Sequence, residues 1–538
     1  MSRWQRGACV VTLVLCAGCG GERAGAPVAA EPAYGGTVVV ASPDDLGPLN
    51  SLVNGLRYGQ EVLRYALALP LVAWGPDLGL EPALARSWEL SGDTAVVFEL
   101  RDDVRWHDGE RTTAYDVEFT FGRAMGVAST YPNAGDFGAW TGIEVLDSFR
   151  IRFRFTPHAD PLAGVPFLPI MPRHLLDSIP AERMQQAAFN RQPVGNGPFR
   201  FVEYRPNERY VLEANPDFPE ELGGRPYIDR FVWRIIQDDA GQVAELRTGN
   251  AHLAMNVKAQ TWTGLAADPA LRAFTREARQ YSMIAWNGRR APFDDTRVRR
   301  ALIMAVDRQR IIDVLRRGHG YVAPGPVGRY HWSYDRTLAP LPYDSMTART
   351  LLLDAGIRDR DGDGVLEKAD GSDFTIELLF PPINDDLAQL IQNDLGAIGV
   401  RVNPRTTEFA TIVGRVMSPE RAFDAALLAW EADFRLSLRA VFHGAERNAP
   451  FQIAGYANPV ADSLIERTER LTDRDAARPL LHELQRILRD DQPWGFLYYY
   501  DDLYAARAEL GGTDMDIRGA LVNLPRWWMA GAAASAAR

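Results

Sequence analysis

The sequence predicts a mixed α/β fold divided into two or more packed lobes, and three observations carry that reading. The chain is 538 residues long, more than one hydrophobic core serves, so it should split. Short β-branched runs alternate with stretches of helical apolar spacing, the pattern of mixed sheets flanked by helices. The hydrophobic content, 46%, is ordinary for a globular body, and nothing after the first twenty residues stays apolar long enough to cross a bilayer as a helix.

The strand candidates are residues 36–42 (GTVVVAS), 95–100 (AVVFEL), 150–155 (RIRFRF), 209–213 (RYVLE), 231–236 (FVWRII) and 375–380 (TIELLF). Helices are expected at 113–125, 298–316, 347–355, 385–396 and 473–488. The first opens on Thr113, with Asp116 three residues later as its capping partner; the helix at 385–396 ends in a glycine stop. There is no internal repeat, and low complexity is confined to residues 20–35 and to the alanine-rich end.

Residues 1–18 have the layout of a targeting segment: Arg3 and Arg6, a short apolar run, then the small pair Ala17 and Gly18 before Cys19. This resembles a bacterial lipoprotein signal, which implies acylation of Cys19 as the first mature residue. Cys16 departs from that pattern, standing where leucine is usual, and an ordinary secretory cleavage nearby is the alternative. All three cysteines (Cys9, Cys16, Cys19) fall here, so the body can form no disulfide, and a single leftover cysteine at the mature end suits acylation. Residues 19–35 then read as a flexible tether. Loss of Arg3 and Arg6 takes the formal charge from −11 to −13, which disfavours nucleic acid as a partner.

Catalytic signatures are missing. The sequence has no His-Glu-x-x-His, no Gly-x-Ser-x-Gly, no body cysteine and no histidines at metal-ligand spacing, which leaves a peptide hydrolase the weakest reading. One acidic loop does have ligand spacing. Asp359, Asp361 and Asp363 alternate before Gly364, and Val365, Glu367 and Asp370 follow at the offsets of an EF-hand-type calcium loop. Asp370 is shorter than the usual glutamate and a strand follows instead of a helix, so the loop is either a structural calcium site or an acidic turn.

From residue 84 onward the motifs become specific: LARSW (84–88), FELRDDVRWHDGE (98–110), TAYDVEFTF (113–121), PVGNGPFRFVEY (193–204), AWNGRRAPFDDTRVRRALIMAVDR (285–308), YDSMTARTLLLDAG (343–356), FDAALLAWEADF (423–434) and GYANPVADSLIERT (455–468). In this order they resemble the family 5 extracytoplasmic solute-binding proteins, the oligopeptide, dipeptide and nickel binders. Read without the family, His107 lies in a strand-to-turn segment closed by Gly109 and is a turn residue, and Arg297, Arg299 and Arg300 sit on exposed helical turns, solvated or paired.

The resemblance implies a two-lobed, type II periplasmic-binding-protein fold. Lobe I would comprise 36–46, 188–280 and 490–538, with an inserted subdomain at 47–187, and lobe II would span 281–489. It implies a monomer, lipid-anchored in the periplasm or at the cell surface, that needs no cofactor. Such a protein would capture a peptide or peptide-like solute between the lobes and deliver it to the permease of an ABC importer. Asp433 matches the family aspartate that pairs with the ligand's α-amino group, although it could instead cap a local turn. Trp430 is either the adjoining apolar wall or core, and Tyr58, Tyr65, Trp140, Trp286 and Asn287 are further candidates from segments that line the cleft in similar proteins. The Asp-Pro that commonly follows is replaced by residues 435–439 (RLSLR), which leaves ligand length and chemistry open. A nickel chelate, an oligosaccharide, or a sensor role remain as alternatives.

Overall fold

The computed structural model describes residues 32–531 except 159, 433, 435 and 437. Cys19, the targeting segment and Asp433 therefore lie outside the described residues. Among those described, no helix is long and apolar enough to cross a membrane.

A single large sheet runs through the molecule. From one edge its strands are Arg401–Thr406, Thr375–Phe380, Ala425–Glu431, Leu271–Trp286, Trp494–Arg507, Leu253–Ala254, Thr37–Ser42, Arg230–Ile235, Arg209–Ala214 and Phe199–Arg205, with Gly320–Val322 also paired to Trp494–Arg507. Two of these are far longer than an ordinary strand: Leu271–Trp286 and Trp494–Arg507 pair antiparallel from Leu271↔Arg507 to Ala285↔Trp494. Their register breaks between Glu277 and Tyr281. An irregularity of that kind bends a ribbon, and this one falls where the two halves of the molecule meet.

Separate cores lie on either side of it. Val40, Phe98, Phe121, Phe231, Trp233 and Trp527 belong to one cluster, whereas Ile284, Leu302, Ile376 and Leu395 form a second and Met283, Phe442, Leu484 and Trp494 a third. The molecule is thus two-lobed, with mixed sheets and flanking helices. A smaller antiparallel sheet, Ala85–Ser91, Ala95–Leu100, Arg150–Phe155 and Trp140–Asp147, stands on the first lobe.

Local chemistry explains the elements. In Ala95–Leu100 the buried positions are Val96, Phe98 and Leu100, the period of two that a half-buried strand requires. Helix Ala114–Met125 begins with Thr113 and Asp116 in a reciprocal capping box. The helix expected at 298–316 is two helices, Thr296–Met304 and Arg308–Leu315, because Asp307 turns its carboxylate onto the Arg310 N–H and starts a new cap. Arg299 is not on an exposed turn: it is buried and donates to the carbonyls of Phe293 and Asp491, tying its helix to the end of helix Arg474–Asp491.

Candidate functional site

A cleft of about 330 Å³ opens between the lobes. One wall comes from helix Arg57–Val62 and the turn Leu63–Leu67 that continues it. Arg57, Glu61 and Arg64 are spaced four and three apart, so they share one face, and all three line the cleft. The other wall holds Trp430, Glu431 and Ala432 at the end of strand Ala425–Glu431, then Leu438, Val441 and Phe442, with Arg279 and Tyr281 from the crossing strand. Phe167 reaches in from the first lobe.

Charge in so enclosed a place needs partners. Arg57 donates to Asp502 Oδ1 at 3.2 Å and its Nε lies 3.7 Å from Glu61. Burial works against the Arg57 charge, but Asp502 and the surrounding tyrosines hold the guanidinium above its ordinary value. Glu61 moves the other way, pushed up by burial despite Arg57 and the Leu521 N–H at 3.0 Å. Arg279 Nη2 pairs with Glu431 Oε1 at 2.8 Å, and its guanidinium lies 4.9 Å from the ring centre of Phe434.

The residues flanking 433 are firmly held. Ala432 donates to the Arg279 carbonyl at 2.8 Å and accepts the Tyr330 hydroxyl at 2.9 Å; the Phe434 carbonyl lies 3.0 Å from His331 Nε2. Phe434 is buried with Trp74, Ala163 and Phe167 of the first lobe, so this segment crosses to the opposite half.

Of the residues singled out from sequence, Trp430 lines the cleft, half-buried, its ring 5.2 Å from Trp494. Tyr58 and Tyr65 share the helix but turn away, Tyr58 donating to Asn256 at 2.8 Å and Tyr65 to the Arg518 carbonyl at 3.1 Å. Trp140 belongs to the aromatic core of the small sheet, 4.6 Å from Phe153, with its Nε1 on the Pro161 carbonyl. Trp286 is stacked on Phe293 in the second-lobe core. Asn287, buried, ties the carbonyls of Arg421 and Phe423 together at 2.9 Å each. Those three are structural, because their side chains face inward from segments that run beside the cleft. The residues that sequence reasoning passed over, Arg57, Glu61 and Arg64, were marked only by charges at i, i+4 and i+7 along residues 57–67. His107 is a turn residue, its Nδ1 accepting the Gly195 N–H and its Nε2 on the Gly197 carbonyl.

The acidic loop contributes no residue to the lining of the cleft. One oxygen each of Asp359, Asp361, Asp363 and Glu367 lies within 4.8 Å of the others. The turn is shaped by Gly362 and Gly364 at φ 84° and 87°, with Asp359 accepting both their N–H groups and Asp363 accepting that of Val365. Asp370 does not join them: its carboxylate accepts the N–H and hydroxyl of Ser372. Four carboxylate oxygens converging this closely suit a hard divalent cation.

Comparison with known proteins agrees with this architecture. The profile of the bacterial extracellular solute-binding proteins, family 5 Middle, matches residues 79–439. The oligopeptide-binding protein AppA of Bacillus subtilis is 29% identical over 97% of this chain and 96% of its own. Di/tripeptide-binding protein 2 of Pseudomonas aeruginosa is 30% identical, covering 88% of this chain and 90% of that one. The structure of the Bacillus subtilis AppA in complex with a nonapeptide superposes with a TM-score of 0.83 at 28% identity, over 93% of this chain and all of that one. The chain belongs to the bacterial extracellular solute-binding proteins, family 5.

Proposed function

We propose that this protein captures a peptide in the cleft between its lobes and presents it to the permease of an ABC importer, held at the membrane by acylated Cys19. The observation that carries the reading is the enclosed cleft, walled by both lobes and lined by charged side chains around Trp430. A peptide brings fixed charges at its ends and polar groups along its length, and a cleft of this composition answers both. The peptide-binding relatives support the ligand class.

In this reading Asp433 neutralises the ligand's α-amino group, a role supported by the anchoring of Ala432 and Phe434 beside the cleft. Titration of the Asp433→Ala variant with peptides and their N-acetylated forms tests it. Free-amine peptides should lose far more affinity than acetylated ones, and equal losses would count against it. For the aspartate loop we propose a structural calcium ion held by Asp359, Asp361, Asp363 and Glu367, which would tighten the connection between helix Ser345–Asp354 and strand Thr375–Phe380.

A further inference from the structure

Two carboxylates meet at the bend between the lobes. Glu277 and Asp501 are the last opposed residues before the register break, and the ladder resumes at Tyr281↔Tyr499, so residues 278–280 bulge against Tyr500 alone. Residues directly opposite in an antiparallel pair project to the same face, where like charges repel. Glu277 accepts the Tyr321 hydroxyl at 3.1 Å, and neither carboxylate makes an ion pair among the described residues. Any change of lobe angle is taken up here, because the pairing is continuous from Leu271↔Arg507 to Glu277↔Asp501. A contact also spans the break. Trp262 donates to the Tyr504 carbonyl on one side of it, and its ring lies 4.8 Å from His319, which precedes the strand paired with Tyr498–Tyr500 on the other.

The groups facing the pair are few. Tyr321, buried Tyr499 and Arg329, whose guanidinium lies 3.7 Å from the Tyr321 ring centre, face Glu277. His319, Arg316 and Arg329 face Asp501, with Asp502 beside it in the chain. Burial, and with it the charge of Asp501, holds Glu277 above the ordinary glutamate range against the pull of the Tyr321 hydroxyl and Arg329. Asp501 is raised as well, by burial and by Asp502, against His319, Arg316 and Arg329.

We propose that Glu277 and Asp501 make the bend an acid-sensitive joint: a proton taken up by the pair favours the arrangement in which Phe434 bridges the lobes, and its loss lets the joint relax toward a more open one. The sign follows from confinement. Two carboxylates held together and partly buried bind a proton more tightly than the same two groups hydrated and apart, so uptake shifts the population toward the confined form. The joint responds in this way whatever the cleft holds, so ligand-free protein tests it.

The closed-to-open ratio of the ligand-free protein, read by small-angle X-ray scattering at about pH 7.5 and about pH 5, is the measurement. The wild-type ratio should rise at least about threefold on acidification. Glu277→Gln should keep the acid value at both pH values, and Asp501→Asn, a second variant that relieves the same repulsion, should do likewise. A wild-type ratio that ignores pH overturns the proposal, as does a Glu277→Gln ratio that follows the wild type. A response that persists in Glu277→Gln and vanishes only in His319→Gln belongs to the imidazole and overturns it too.

Discussion

Arg57 and Asp502 join the wall of the cleft to the strand that crosses between the lobes: Arg57 Nη1 donates to Asp502 Oδ1 at 3.2 Å, and Nη2 takes the second oxygen. The same carboxylate holds Arg276 and accepts the Tyr504 hydroxyl at 3.3 Å, all of it buried. Asp502 stands next to Asp501, whose backbone lies across the strand ladder from Glu277 at the edge of the register break. A cleft residue is thereby wired to the segment where the two long strands bend.

Removing that carboxylate should be costly. Asp502→Asn leaves Arg276 buried with no full counter-charge and Arg57 with Glu61 alone, and we expect a loss of about 3–5 kcal/mol in unfolding free energy by urea titration. A loss below about 1 kcal/mol would show that the pair is not the support described.

Phe434 ties the lobes together. Its ring lies 5.5 Å from Trp74 and 5.7 Å from Phe167 across the interface, and Arg474 Nε bonds Asp160 Oδ1 at 2.8 Å nearby. Phe434→Ala should weaken closure more than folding, because Phe434 bridges the lobes while each lobe keeps its own core. Burial of a whole phenylalanine corresponds to about 3–5 kcal/mol, of which closure bears the greater share. Ligand release, followed by stopped-flow fluorescence, should quicken at least about tenfold; an unchanged rate would contradict the bridging role.

Acid should destabilise the fold through two histidines. Burial lowers His331 from 6.5 to about 3 and His107 to about 4. Each is neutral when folded, with Nδ1 accepting a backbone N–H (Ser333 and Gly195), so a second proton has no acceptor. The unfolded chain binds these protons below about pH 6.5, so their contribution is complete above that pH and declines as pH falls through the window toward 4 and 3. Glu61, raised by burial, opposes this in its own range. Urea titrations should show a slope of up to about 1.4 kcal/mol per pH unit for each histidine. His331→Gln should lose one such share; an identical pH profile in the variant would refute the assignment.

Much of the scaffold was legible from local pattern. Residues 95–100, 150–155 and 375–380 form the strands expected of them, since β-branched or alternating apolar runs have one packed face. The single helix read at 298–316 failed because apolar spacing continues through Asp307, and only the cap geometry reveals the break. The cleft was harder. Arg57 finds its partner 445 positions away, a pairing that no local spacing announces. Trp140, Trp286 and Asn287 lie in segments beside the cleft, but the direction of a side chain is decided by packing: Trp286 by Phe293, Trp140 by Phe121 and Phe153.

Calcium should raise the melting temperature by a few degrees, since an ion at a hundredfold excess over its dissociation constant contributes about 2.7 kcal/mol. Asp361→Asn should blunt the shift. Equal melting in calcium and in chelator would leave the loop a plain acidic turn.

The central claim, that the two lobes enclose a peptide, is tested most directly by native mass spectrometry of the mature protein equilibrated with a mixed peptide library of varied lengths. The account predicts a one-to-one adduct whose mass increment is that of a peptide, diminished in Asp433→Ala. A spectrum in which no peptide is retained at saturating library would contradict it.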